Sequence, residues 1–313
     1  MNTATSTGTP AQAGTLEGVR VLSLALNLPG PAALARCRRM GAHCTKLEAP
    51  PPAGKASSDP MGAYNPGAYA VLHEGVEIVH ADLKSPEGQA TLHALLMQTD
   101  VLITSFRPAA SVRLGVDWTS LQARHPQLSL VEIVGASGAR ADEPGHDLTY
   151  LAESGLVTDL ALPATLYADM AGSVMASEAV LQALLRRAVS GRGAHMEVAL
   201  ADAAHYLALP RTWGLTQPSG AVGGAHAGYR VYACANGRVA VAALEPHFAQ
   251  RLCQAAGVAG ADTPAAALAL MFRSGTHQAV ASYFQGRTRA ELDQLASEKD
   301  IPLHTLAPAE GDL

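Results

Sequence analysis

The chain has 313 residues, with 22 basic and 27 acidic side chains and a net charge of -5; a chain of this length is expected to form about two domains with a core of ample size. The acidic balance, with no basic run beyond the pairs Arg38-Arg39 and Arg186-Arg187, argues against non-specific binding of nucleic acid. No apolar stretch approaches the roughly 18 to 20 residues that span a bilayer, and no charged-then-apolar signal opens the chain, so a cytoplasmic protein without membrane contact is expected.

Residues 1–15 are rich in Thr, Ala and Gly, lack periodicity and are read as a disordered leader. Val19 to Leu24 then forms a continuous apolar strand, Pro31 to Met40 a helix and Cys44 to Leu47 a second strand. Val76 to Ala81, Val101 to Thr104 and Leu128 to Val134 have strand character, with a helix from Pro86 to Gln98 between the first two. This alternation predicts a mostly parallel, Rossmann-like sheet covered by helices, with ligands at the loops on the carboxyl ends of its strands. The first such loop, Ala25 to Pro31, has no Gly-x-Gly-x-x-Gly, so the fingerprint of a dinucleotide site is missing.

Leu148 to Val157 is expected to be helical, as is Met170 to Arg187, where Val174, Leu181, Leu184 and Leu185 recur at helical spacing and Gly191 supplies a stop. The glycine-rich stretch from Pro218 to Gly228 reads as a flexible connection. Tyr229 to Cys234 and Val239 to Leu244 read as a hairpin turning at Asn236-Gly237. The expected division is a large domain over 16–200, a linker over 201–225, a small α+β domain over 226–295 and a C-terminal segment over 296–313.

Cys37, Cys44, Cys234 and Cys253 show no paired two-residue spacing and are read as buried small hydrophobes. The histidines form no His-Glu-x-x-His and no Cys/His cluster, so no metal site is expected. The lack of a Gly-x-Ser-x-Gly disfavours a serine hydrolase.

Acid–base chemistry is suggested at three junctions between elements. His146 lies in a Pro-Gly-His-Asp turn; read alone it is a solvated loop histidine, but an imidazole also takes and returns a proton near neutral pH. Asp169 is expected at the N-cap of the helix beginning at Met170, where free N–H groups and the helix dipole stabilise a carboxylate. Its neighbours Ala168, Ala171 and Gly172 leave room for a ligand. Glu245 ends a strand before Pro246, a residue suited to start a helix.

Several segments in order carry a family likeness: Leu16 to Leu22, Gly30-Pro31, Gly41 to Pro50, Ala81 to Gly88, Ser105 to Pro108 and Arg113 to Gly115. From Leu16 to about Pro302 the chain resembles the family III CoA-transferase superfamily of CaiB/BaiF type, and within it the α-methylacyl-CoA racemases. The resemblance implies an α/β fold, with a Rossmann-like large domain and a smaller α+β domain. It also implies a substrate that carries coenzyme A, no prosthetic group, and an interlocked homodimer.

By the same resemblance Asp169 is catalytic, and His146 stands where transferase members often have Tyr. Glu245 would orient His146 across the subunit boundary. The positions implied to bind CoA are Asn27, Leu28, Pro29, Leu72, Ser105, Phe106, Arg107 and Arg113. The implied reaction is racemisation of a 2-methylacyl-CoA thioester by 1,1-proton transfer through an enolate. Two alternatives stay open: CoA transfer through an aspartyl intermediate on Asp169, and a non-catalytic acyl-CoA binding homologue.

Departures from the family pattern fall in the phosphate-binding region and at the end of the chain. His73 to Glu77 replaces a usual cationic cluster and Ala49 a frequent Arg, leaving Lys46, Lys84, Arg107 and Arg113 as compensating cations. The segment after residue 296 is read as a shortened return to the large domain.

Overall fold

The computed structural model describes residues 14–308, so residues 1–13 of the expected leader and 309–313 of the expected C-terminal segment lie outside the described residues. Two compact units divide between Ala208 and Leu209.

The first unit begins with β1 (Arg20–Ser23), α1 (Pro29–Arg39), β2 (His43–Glu48), α2 (Pro60–Tyr64), α3 (Pro66–Leu72), β3 (Glu77–His80) and α4 (Pro86–Leu96). It continues through β4 (Val101–Thr104), α5 (Pro108–Leu114), α6 (Trp118–Arg124), β5 (Ser129–Val134), α7 (Asp147–Glu153), α8 (Tyr167–Ser190) and β6 (His195–Ala199). All six strands run parallel in the order β3-β2-β1-β4-β5-β6. This is the doubly wound order in which β1 and β4 sit side by side while their following segments leave toward opposite faces.

The sheet is covered on both faces, which explains why its central strands read as unbroken apolar runs. Val21, Val101, Ile103, Val131 and Ile133 pack with α1 and α8 residues such as Leu34, Ala176 and Val180. Leu22, Leu102 and Leu130 point the other way, onto Leu92 and Leu96 of α4 and Leu121 of α6. Local chemistry starts the helices. Proline stands in the first turn of α1 through α5, and the side chains of Asp59, Asn65, Ser85 and Asp117 accept backbone N–H groups at the starts of α2, α3, α4 and α6.

The helix α9 (Leu200–Thr212) occupies the beginning of the expected linker. The run Ala201-Asp-Ala-Ala-His-Tyr-Leu-Ala is made largely of good helix formers, and Ala203, Ala204 and Ala208 are buried.

The second unit contains β7 (Tyr229–Cys234), β8 (Gly237–Ala242), α10 (Pro246–Ala255), α11 (Pro264–Leu270), α12 (Ser274–Gln285), α13 (Arg289–Lys299) and β9 (Leu303–Leu306). Its antiparallel sheet has the order β7-β8-β9, and Val239, Val241, Leu252, Met271 and Phe284 lie at the centre of its core. The stretch expected to return toward the large domain thus supplies β9, paired Val241 to Leu303 through Arg238 to Leu306.

The hairpin turn also differs from expectation. Cys234 pairs with Gly237, which leaves Ala235 and Asn236 as the loop. Asn236 does not adopt a positive φ; instead its Oδ1 accepts the Arg289 N–H at 2.8 Å, while the Ala235 N–H donates to the Arg287 carbonyl at 2.8 Å. Contacts with the α12–α13 connection, not intrinsic turn preference, shape this loop. All four cysteines are buried and unpaired, and burial pushes the Cys37 and Cys44 thiols up to about 12.

Candidate active site

Beyond β1 the chain must leave the sheet and enter α1 within a few residues. Asn27 takes a left-handed φ of 63° to do so, and Gly30 allows α1 to press against the strand's exit, since a Cβ there would overlap that of Ala25. The Leu26 N–H donates to Ser105 Oγ at 3.1 Å and ties this turn to the segment after β4. The Asn27 N–H donates to Asp59 Oδ1 at 3.1 Å. The two loops flanking the switch point are thereby joined into one rim.

A cavity of about 280 Å³ opens at this rim, below the ends of β1, β4 and β5. Six of the expected residues line it: Asn27, Pro29, Ser105, Arg107, His146 and Asp169. The other expected CoA positions in this unit lie outside the lining. Leu28 is the N-cap of α1, Leu72 ends α3, Phe106 packs on the apolar cluster under α4 and α6, and Arg113 is exposed on α5. Glu245 belongs to the second unit, where it is exposed as the N-cap of α10 and its side chain caps no backbone N–H.

His146 is the N-cap of α7, held in extended backbone with φ of -144°. Thr149 fixes it there: Thr149 Oγ1 accepts the His146 N–H at 3.0 Å and donates to the His146 carbonyl at 2.7 Å. The imidazole is left exposed at the cavity.

Asp169 is not the N-cap of its helix, as the sequence suggests, but the third residue of α8, because helical geometry begins two residues earlier at Tyr167. The residue that does cap it, Leu166, has no side-chain acceptor to announce the start. The Asp169 N–H donates to Asp147 Oδ1 at 3.0 Å, which links the first turns of α7 and α8. Burial, reinforced by the charge of Asp147 and partly opposed by His146, pushes the Asp169 carboxyl up to about 6. Its proton therefore comes and goes near neutral pH, as general acid–base work requires.

The sequence reading passed over Asp147 and Tyr150. Asp147 is buried, and Tyr150, buried as well, lines the cavity beside His146 and Asp169. Both lie one to four residues from His146, so the helical spacing of the Gly-His-Asp-Leu-Thr-Tyr run was the signal available.

Lys46 is not a free cation for a ligand. It is fully buried, paired with Asp59 and at 3.0 Å from Glu48, with His73 Nε2 3.1 Å away. His73 Nδ1 lies 2.7 Å from the Tyr69 carbonyl, the geometry of a donated N–H, which leaves Nε2 to accept from Lys46. Lys84, Arg107 and Arg113 are exposed. Among the described residues no group of three or more His, Cys, Asp or Glu could hold a metal ion, and no helix is long and apolar enough to cross a membrane.

Comparisons with known proteins converge on one family. The sequence profile of CoA-transferase family III matches residues 16–311. A succinate–glutarate CoA-transferase of Agrobacterium fabrum is 30% identical over 63% of this chain and 53% of its own length. The human α-methylacyl-CoA racemase is 27% identical over 80% of this chain and 66% of its own length. The chain thus spans about half to two thirds of these curated relatives. In three dimensions, the crystal structure of a hypothetical Mycobacterium tuberculosis protein, Rv3272, superposes with a TM-score of 0.77 at 23% identity, over 95% of this chain and 85% of that one. A CaiB/BaiF family protein of Brucella suis gives 0.75 at 22% identity, with coverage of 95% and 84%.

Proposed function

Because this chain belongs to CoA-transferase family III, we propose that it is an acyl-CoA enzyme that interconverts the epimers of a 2-methylacyl-CoA thioester by 1,1-proton transfer. The observation that carries this reading is that an imidazole and a carboxyl raised to about 6 line the same cavity at the carboxyl end of a parallel sheet. The α-hydrogen of a thioester is weakly acidic, and inversion calls for one base and one acid on opposite faces of the enolate. His146 and Asp169 take these two roles and exchange them between the two directions. Arg107 and the Asn27 turn lie at the same rim, as groups for the CoA portion of the substrate. Coenzyme A enters only as part of the substrate. The backbone N–H groups of Gly145 and Asp147 are donors for the enolate oxygen, the His146 N–H being taken up by Thr149.

CoA transfer is the second reading. It is favoured by the same Asp169, a carboxyl that lines the cavity, and by the transferase names of relatives such as the Agrobacterium enzyme. There the ionised Asp169 attacks the thioester carbon, the C–S bond breaks to release CoA thiolate, and a mixed anhydride holds the acyl group.

Incubation with (R)-2-methylacyl-CoA in deuterated water separates these readings. Racemisation gives α-deuterium incorporation with inversion that is lost in Asp169→Ala. Movement of CoA to an added free acid without exchange replaces it by transfer. Binding of the thioester with neither reaction identifies a non-catalytic homologue.

A further inference from the structure

We propose that Tyr150 is a further catalytic residue of this cavity, whose phenolic O–H donates a hydrogen bond to the carbonyl oxygen of a bound acyl thioester and tightens it as that oxygen gains negative charge. The proposal rests on the reading of the cavity as the acyl-CoA site. It is independent of which reaction occurs there, since the enolate of proton transfer and the tetrahedral adduct of carboxylate attack both place the charge on the same oxygen.

Tyr150 is only 7% exposed and lines the cavity from α7, one turn beyond His146. Its hydroxyl end fits a slot made by two residues without side chains. At Gly135, just past the end of β5, a Cβ would overlap the Tyr150 hydroxyl oxygen, and at Gly145 a Cβ would lie 2.5 Å from it. The fold therefore holds the phenol with little freedom, at the carboxyl ends of the strands.

A buried phenol ordinarily has a hydrogen-bond partner. Tyr69 donates to Glu48 at 2.6 Å and Tyr232 to the Ala227 carbonyl at 2.7 Å. The Tyr150 hydroxyl makes no such bond among the described residues, and Tyr150 lines the cavity, where a carbonyl oxygen that enters can accept its proton. Burial and then the Asp169 charge push the Tyr150 phenol up, so the group keeps its proton and serves as a donor, not as a base.

Tyr150→Phe removes the donor and keeps the ring in its slot. A 2-methylacyl-CoA labelled with ¹³C at the thioester carbonyl is expected to show a downfield carbonyl resonance when bound to the wild type, reduced in Tyr150→Phe. In α-deuterium exchange or CoA transfer, whichever the wild type performs, kcat is expected to fall about 100-fold with KM within about threefold. Equal carbonyl shifts and equal kcat in the two proteins overturn the role of Tyr150 and leave the acyl-CoA site standing. If Tyr150→Phe does not fold, 3-fluorotyrosine placed at position 150 replaces it: this more acidic phenol is expected to move the bound carbonyl further downfield than the wild type does, and an unmoved carbonyl overturns the proposal. A wild type that binds no acyl-CoA at all removes the site and this residue's role together.

Discussion

Two polar clusters of the first unit are built from the same kinds of residue and behave in opposite ways. One gathers Lys46, Glu48, Asp59 and His73 beneath the first helices; the other gathers His146, Asp147, Tyr150 and Asp169 around the cavity. In the first, a cation sits between two carboxylates, and Ser57 and Tyr69 each donate to Glu48 at 2.6 Å. Burial alone would push the Glu48 carboxyl up, but those two donors and Lys46 outweigh it and hold the group below its ordinary range. In the second, burial acts without an opposing cation of equal weight, and Asp169 rises to about 6. Completed pairing makes a charge cluster part of the scaffold, whereas an unmatched carboxyl facing a cavity keeps a proton available for chemistry.

The largest expected effect comes from breaking the paired cluster. Lys46→Met leaves Glu48 and Asp59 buried without their cation and should lower unfolding stability by about 3–5 kcal/mol, read as a fall in the urea midpoint at pH 7. Adding Glu48→Gln to that variant should restore part of the loss, because one uncompensated charge is then removed. An unchanged midpoint in Lys46→Met would mean that the cluster opens to water.

Asp169→Asn should act in the reverse sense, abolishing turnover while raising stability at pH 7 by on the order of 1–3 kcal/mol, since a pKa raised in the folded state is a cost of keeping that group ionised. Equal or lower stability of the variant would show that the carboxylate is better solvated than its burial implies.

The smallest effect is the pH dependence of that difference. A folded pKa of about 6 above an unfolded value of 3.8 gives a stabilising contribution that is complete below the unfolded value and is lost as pH rises through about 6. Asp169→Asn should therefore exceed the wild type above about pH 6 and converge with it toward pH 4 in urea titrations across that range. Glu48, with its pKa lowered, has the opposite sign, and its contribution is present above its ordinary value and fades as the pH falls.

The sheet was legible because strands such as Val101–Thr104, buried on both faces, appear as unbroken apolar runs. The edge strand β6 was not, because the exposed polar residues His195 and Glu197 interrupt its apolar residues and only Val198 and Ala199 are buried. The helix at Asp169 was recognised but started late, because Leu166 provides no capping side chain. Lys46, a compensating cation by sequence, is sealed away, and nothing in Thr-Lys-Leu-Glu marks it as buried; its partner Asp59 stands thirteen residues away and reaches it only after α2 is placed.

What the sequence determined by itself was local and periodic: the alternation of strands and helices, the capped helix starts, and the imidazole and carboxyl that stand at junctions. Tertiary structure decided which charges are matched. Desolvation and pairing depend on side chains brought together from distant segments, and those distances, not residue type, separate the sealed Lys46 cluster from the cavity where His146, Tyr150 and Asp169 meet.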